Sequence, residues 1–170
     1  MARKIAHSLS TPNILEFIPL AERTVLINHL SLWWLRHAID QVFIWQNHGI
    51  DLSIAVNISP TTLLDPEFPD VVIGALASCN LAPHRITLEI TESSIIKDPE
   101  RALEILTRLA DLGIQISIDD FGTGYSSLGY LKRMPASELK IDKSFVLEML
   151  TSENDAVIVE RGQVEIDQVY

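Results

Sequence analysis

Ile114-Gln-Ile-Ser-Ile-Asp-Asp-Phe-Gly-Thr-Gly-Tyr-Ser-Ser127 is the stretch whose reading decides the fold. Ile114, Ile116 and Ile118 alternate with Gln115, Ser117 and Asp119, the period-2 pattern of a strand. The strand ends on two adjacent carboxylates, Asp119 and Asp120. It then enters a turn with Gly122 and Gly124, residues that adopt backbone angles others resist. Neighbouring carboxylates at a strand end repel each other unless protons or a cation lie between them. Oxygen-rich clusters of this kind suit Mg²⁺ or Mn²⁺. A bare Asp-Asp-x-Gly also describes a solvated turn, so the surrounding chain has to carry the weight.

Immediately upstream, Asp98 and Pro99 open a helix that runs to about Asp111 with Ala102, Ile105, Leu106 and Leu109 as its apolar stripe, and Gly113 closes it. Before that helix comes a strand, Arg85 to Thr91, where Ile86, Leu88 and Ile90 alternate with Thr87, Glu89 and Thr91; Glu92 follows it. Further back, a helix over Phe68 to Ser78 carries Val71, Val72, Ala75, Leu76 and Cys79, and Thr61 to Pro66 reads as a linker. A strand from Leu52 to Ile58 puts Ile54, Val56 and Ile58 on one face and Ala55, Asn57 and Ser59 on the other, and Pro60 stops it.

The first helix begins near Phe17 or Pro19 and follows a stripe of Ile27, Leu30, Trp34, Ala38, Gln41 and Trp45 until Asn47-His-Gly49. Trp33 and Trp34 are adjacent and cannot share a face, which predicts one in the core and one elsewhere. Downstream of the opening stretch, Ser127 to Lys132 predicts a short helix, Glu138 to Asp142 a fourth strand, and Ser144 to Leu150 the start of one more helix.

Strands alternating with helices imply a parallel sheet with right-handed crossovers. In each strand the large aliphatics share one parity, and small or polar residues hold the other: Ala55/Asn57, Thr87/Glu89, Ser117/Asp119 and Lys140/Asp142. A doubly wound sheet is covered on both faces and reads as continuous apolar runs. A barrel encloses its second face and displays functional groups at the C-terminal ends of its strands. Asn57, Glu89, Asp119 and Lys140, in phase on four successive strands, therefore predict one converging site.

The 170 residues are 47% hydrophobic and 21% charged, enough for one domain with a core. The net charge of −10 leaves no electrostatic footprint for a nucleic-acid polymer, although cations could bridge the chain to an anionic ligand. Cys79 is the single cysteine, which excludes an internal disulfide, predicts a small packed residue and fits a reducing compartment. No stretch is long and apolar enough for a membrane span. The first residues have two cations without an apolar run behind them, so no secretory signal is expected and the cytoplasm is the expected location.

Phe17-Ile-Pro-Leu-Ala-Glu22, Val56-Asn-Ile-Ser59, Leu88-Glu-Ile-Thr-Glu-Ser93, Asp119-Asp-Phe-Gly-Thr-Gly-Tyr-Ser-Ser-Leu128 and Leu139-Lys-Ile-Asp142 together resemble the EAL-domain family of bacterial cyclic di-GMP phosphodiesterases, which have a TIM-barrel-like fold. The resemblance runs from about Phe17 to Val159. It implies a two-metal hydrolysis of cyclic di-GMP to linear pGpG. It also implies roles: Asn57, Glu89 and Asp119 as metal ligands, Asp120 as the ligand of a second metal, and Lys140 beside the attacking water. Glu92 would brace the loop from Phe121 to Ser126, which in the family couples metal binding to dimerisation.

The sequence departs from the family in several places. No Glu-Ala-Leu tripeptide occurs in it, and Thr62 stands where the family often has Gln. The family's glutamate in that tripeptide is a metal ligand, and an arginine after it holds substrate. Residues 160–170 resemble no family segment. The resemblance thus implies a partial TIM-barrel-like α/β fold of about four parallel strands, family strands three to six, with an N-terminal segment over 1–16, the partial domain over 17–159 and a divergent tail over 160–170. Activity is expected to be impaired; the alternative is an inactive module that binds a partner, itself or cyclic di-GMP. Open sheet edges invite pairing with another chain. A homodimer through those edges or the 121–126 loop is one expectation, an added edge strand from Gln163-Val-Glu-Ile-Asp-Gln-Val169 a second, and a poorly folding truncated product a third.

Overall fold

The computed structural model of the chain describes residues 21, 24, 26–122 and 133–142. The expected N-terminal segment, the helices at 127–132 and 144–150, the loop residues 123–126 and the tail lie outside the described residues. Four strands form one parallel sheet in chain order: β1 (Ile54–Asn57), β2 (Ile86–Thr91), β3 (Gln115–Phe121) and β4 (Glu138–Ile141). The helices are α1 (Leu26–Asn47), α2 (Pro60–Leu63), α3 (Phe68–Cys79), α4 (Glu92–Ile96) and α5 (Pro99–Asp111), with a 3₁₀ turn at Pro83–Arg85.

The strand aliphatics pack into one core with the helices. Val56, Ile86, Leu88, Ile90, Ile116 and Ile118 meet Leu35, Ile39, Val72, Leu76 and all four stripe residues of α5. Asp98 caps α5, its side chain accepting from the Arg101 N–H at 3.1 Å, and Gly113 leaves the helix at φ +90°. The opposite sheet parity is less covered: Asn57 is exposed, while Thr87, Glu89, Thr91, Asp119 and Lys140 are half-buried. This is the asymmetry of a barrel wall, with helices outside and a polar interior face.

Three local expectations are corrected. The buried face of α1 is Ile27, Ser31, Leu35, Ala38, Ile39 and Val42, so the expected stripe is rotated; Leu30, Trp34 and Gln41 instead look over the outer edge of β1. Neither tryptophan enters the core: Trp33 is 48% and Trp34 55% exposed, stacked edge to face with centroids 4.8 Å apart. Pro60 ends β1 but also opens α2 inside the expected linker. There Ser59 accepts from the Thr62 N–H at 3.2 Å, which satisfies an otherwise orphaned helix-end donor.

Candidate functional site

The registers of the sheet place the candidate residues. Asn57 lies opposite Glu89, Glu89 opposite Ser117, and Asp119 opposite Thr91. Because side chains alternate along each strand, Asn57, Glu89, Asp119 and Lys140 all project from the face away from the helices, near the C-terminal strand ends. Lys140 and Glu89 meet across the intervening strand as an ion pair. That hydrogen bond raises the Lys140 ammonium above its ordinary value; desolvation opposes it, and the charges of Glu89, Asp119 and Glu138 add to it.

The end of β3 is irregular. The pairing with β4 shifts between Ile118 and Phe121, Asp120 takes φ +55° and Gly122 φ +100°. The Asp120 N–H donates to Asp119 Oδ1 at 3.0 Å. Partial desolvation, then the charges of Asp119 and Asp142, push the Asp120 carboxyl above the usual aspartate value, although the residue is exposed as a whole and solvent screens the effect. Glu92, only 1% exposed at the start of α4, accepts the Gly122 N–H at Oε2, 2.8 Å away. The carboxylate that follows β2 thus holds the turn that follows β3.

A cavity of about 960 Å³ runs between α1 and the outer edge of β1, bounded by Ile27, Leu30 and Trp34 of the helix, Ala55 and Asn57 of the strand, and Glu89. Two polar features near the site were not foreseen in the sequence. Ser117 Oγ donates to Glu138 Oε2 at 2.9 Å across β3 and β4. Thr62, buried, donates from Oγ1 to Asn28 Oδ1 at 3.2 Å and so ties α2 to α1. The alternation of β3 and β4 contained the first; nothing local to either residue signals the second.

In chemical type the donors fit Mg²⁺ or Mn²⁺, since an amide oxygen and carboxylates come from three adjacent strands. In number they fall short of a cage. Among the described residues no three His, Cys, Asp or Glu side chains converge on one point, and the Lys140 ammonium already neutralises Glu89.

A helix-backed parallel sheet with oxygen donors at its strand ends defines the (β/α)-barrel class of domains. The sequence matches the EAL domain over residues 6–162. The chain belongs to the EAL domain family. It is 47% identical over 154 residues, 90% of its length, to the bifunctional diguanylate cyclase/cyclic di-GMP phosphodiesterase MucR of Pseudomonas aeruginosa, of which it covers 22%. A cyclic di-GMP phosphodiesterase of the same organism is 38% identical over 81% of the chain and 23% of that protein. The chain therefore spans about a fifth of the length of these curated relatives. The solved MucR phosphodiesterase, in complex with c-di-GMP, superposes with a TM-score of 0.76 over 85% of this chain and 59% of that one. Among the described residues no helix is long and apolar enough to cross a membrane.

Proposed function

We propose that this domain binds cyclic di-GMP at the C-terminal ends of its strands and hydrolyses one phosphodiester to give linear pGpG, with Mg²⁺ or Mn²⁺. The observation that supports this most is the shared face of Asn57, Glu89, Asp119 and Lys140 on four successive strands. Asn57, Glu89 and Asp119 would hold one cation and Asp120 a second. Bound cations would lower the pKa of water and offset charge on the phosphate. Lys140 would orient the attacking water, and Glu92 would position the Gly122 turn. A chain of net charge −10 needs such cations to accept a dianionic ligand at all. We take the domain to run over 17–159 in the cytoplasm, with self-association through the sheet edges or the 121–126 loop.

The test is incubation with cyclic di-GMP and Mg²⁺ or Mn²⁺, reading pGpG, with Asp119→Ala as control. Metal-dependent turnover that the substitution abolishes is the expected result. Turnover without metal, or undiminished in Asp119→Ala, sinks the mechanism. One observation favours a second reading, an inactive EAL module that binds without cutting: Lys140 already occupies Glu89, a carboxylate that a cation would need. Binding of cyclic di-GMP without pGpG in a folded sample selects it.

A further inference from the structure

We propose that Glu138, held by the buried Ser117 hydroxyl, is a positioning residue for Lys140: it receives the ammonium when Glu89 turns to a divalent cation. This deepens the proposed function and rests on the cation site proposed there, and its test separates the failure of one from the failure of the other. It also resolves the conflict at Glu89, whose oxygens the lysine and a cation would both need.

The registers put three side chains in one row on the interior face. Glu89 lies opposite Ser117, and Ser117 opposite Glu138. Neighbouring strands are about 4.8 Å apart, so the two glutamates stand about 10 Å apart with a serine between them. Lys140 is two residues beyond Glu138 on the same strand, hence on the same face and about 7 Å along it. From there its ammonium reaches across β3 to Glu89. Ser117 is fully buried, and its Oγ donates to Glu138 Oε2 at 2.9 Å. That bond leans the Glu138 carboxylate over β3, toward the path the ammonium takes. A side chain as small as serine at 117 leaves that path open.

Charge leaves Glu138 as the remaining partner. Among the described residues three carboxylates raise the Lys140 ammonium against desolvation: Glu89 first, through its hydrogen bond and its charge, then Asp119 and Glu138 through charge. Glu89 and Asp119 belong to the proposed ligand set, and Glu138 does not. A divalent cation held by the first two would repel the ammonium. With Glu138 in reach, the lysine turns to it by a rotamer change. Without it, the lysine either stays on Glu89 and opposes the cation or loses its partner. The exposures favour the exchange. The Glu89 side chain is only 14% exposed and needs a compensating charge throughout, whereas Lys140 is 37% exposed and keeps contact with water as it turns.

The test is calorimetric titration of the full chain with Mn²⁺, without substrate, in a double-mutant cycle on Lys140 and Glu138. Glu138→Gln should weaken Mn²⁺ binding about fivefold in the chain that keeps Lys140, and less than about twofold beside Lys140→Met, where the ammonium that needed Glu138 is gone. Ser117→Ala should weaken it in the same lysine-dependent way by a smaller factor, and it decides the matter if Glu138→Gln does not fold. Equal weakening in both backgrounds means that Glu138 acts on the cation as a distant charge, and overturns the proposal. So does an affinity that neither Glu138→Gln nor Ser117→Ala changes. Both of those outcomes leave the cation site standing. If wild type and Lys140→Met take up no Mn²⁺, or Asp119→Ala takes it up undiminished, the cation site itself fails and the role of Glu138 falls with it.

Discussion

Glu89 is where the Lys140 ammonium and the proposed divalent cation would compete, and substitution of Lys140 separates the two. The Lys140 ammonium pairs with it, and a divalent ion would need the same oxygens. Lys140→Met should therefore tighten Mg²⁺ or Mn²⁺ binding, by about fivefold if the pair is worth about 1 kcal/mol at its partial exposure. Any pGpG formation should fall. Calorimetric titration with metal and a turnover assay read the two effects; unchanged values in both would remove Lys140 from the site. The sign of the pH dependence follows from the raised lysine value. The pair's contribution to stability is complete below the usual 10.5 and is lost as pH rises through the higher folded value. Denaturation of wild type and Lys140→Met should thus differ through the neutral range and converge in strong alkali. Glu92 offers a test of the neighbouring turn. Removing its acceptor in Glu92→Ala leaves a half-buried Gly122 N–H without this partner, a cost of about 1 kcal/mol in urea unfolding. Glu92→Gln keeps an oxygen in place and should lose less.

The turn after β3 carries the candidate carboxylates Asp119 and Asp120, and its backbone is demanding. Asp120 at φ +55° is tolerable for an aspartate, but Gly122 at φ +100° lies where a Cβ is strained. Gly122→Ala should cost about 1–2 kcal/mol and, by moving the turn away from Glu92, weaken metal binding as well. A variant with wild-type urea midpoint and metal affinity would show that the turn is not held this way. This element was legible in the sequence, as were α5 and the alternation of β2 and β3, because periodicity and glycine placement are local signals. The stripe of α1 was not. Its apolar residues cover more than one face, and only the position of β1 decides which side is buried. Ser59-Pro60 reads as an end because proline stops a strand, yet proline also suits a helix start. Glu92 opens α4 directly after β2, with no loop to announce a helix. At the site, the alternation put Asn57, Glu89, Asp119 and Lys140 on one face, but the pairing of Lys140 with Glu89 depends on sheet order, which no window of sequence contains.

At the scale of the whole molecule, charge works against the proposed self-association. Each chain carries −10, so any pairing of two copies brings like charges together. Self-association through sheet edges, as proposed, would rest on backbone hydrogen bonds and apolar burial rather than on ion pairs between chains. Added salt should then strengthen the dimer. Screening shortens the range of repulsion to about 8 Å at physiological ionic strength, while apolar burial is little affected. An interface held by surface ion pairs would respond in the opposite direction. Sedimentation equilibrium in rising NaCl should show the dissociation constant falling, and at matched ionic strength MgCl₂ should lower it further, because divalent ions between the interior carboxylates offset the charge directly. Asp119→Ala should abolish the extra effect of Mg²⁺ but keep that of NaCl. If NaCl instead loosens the dimer, the contact is polar and lies elsewhere on the surface; if Mg²⁺ acts equally on Asp119→Ala, the cation is not bound at the strand ends.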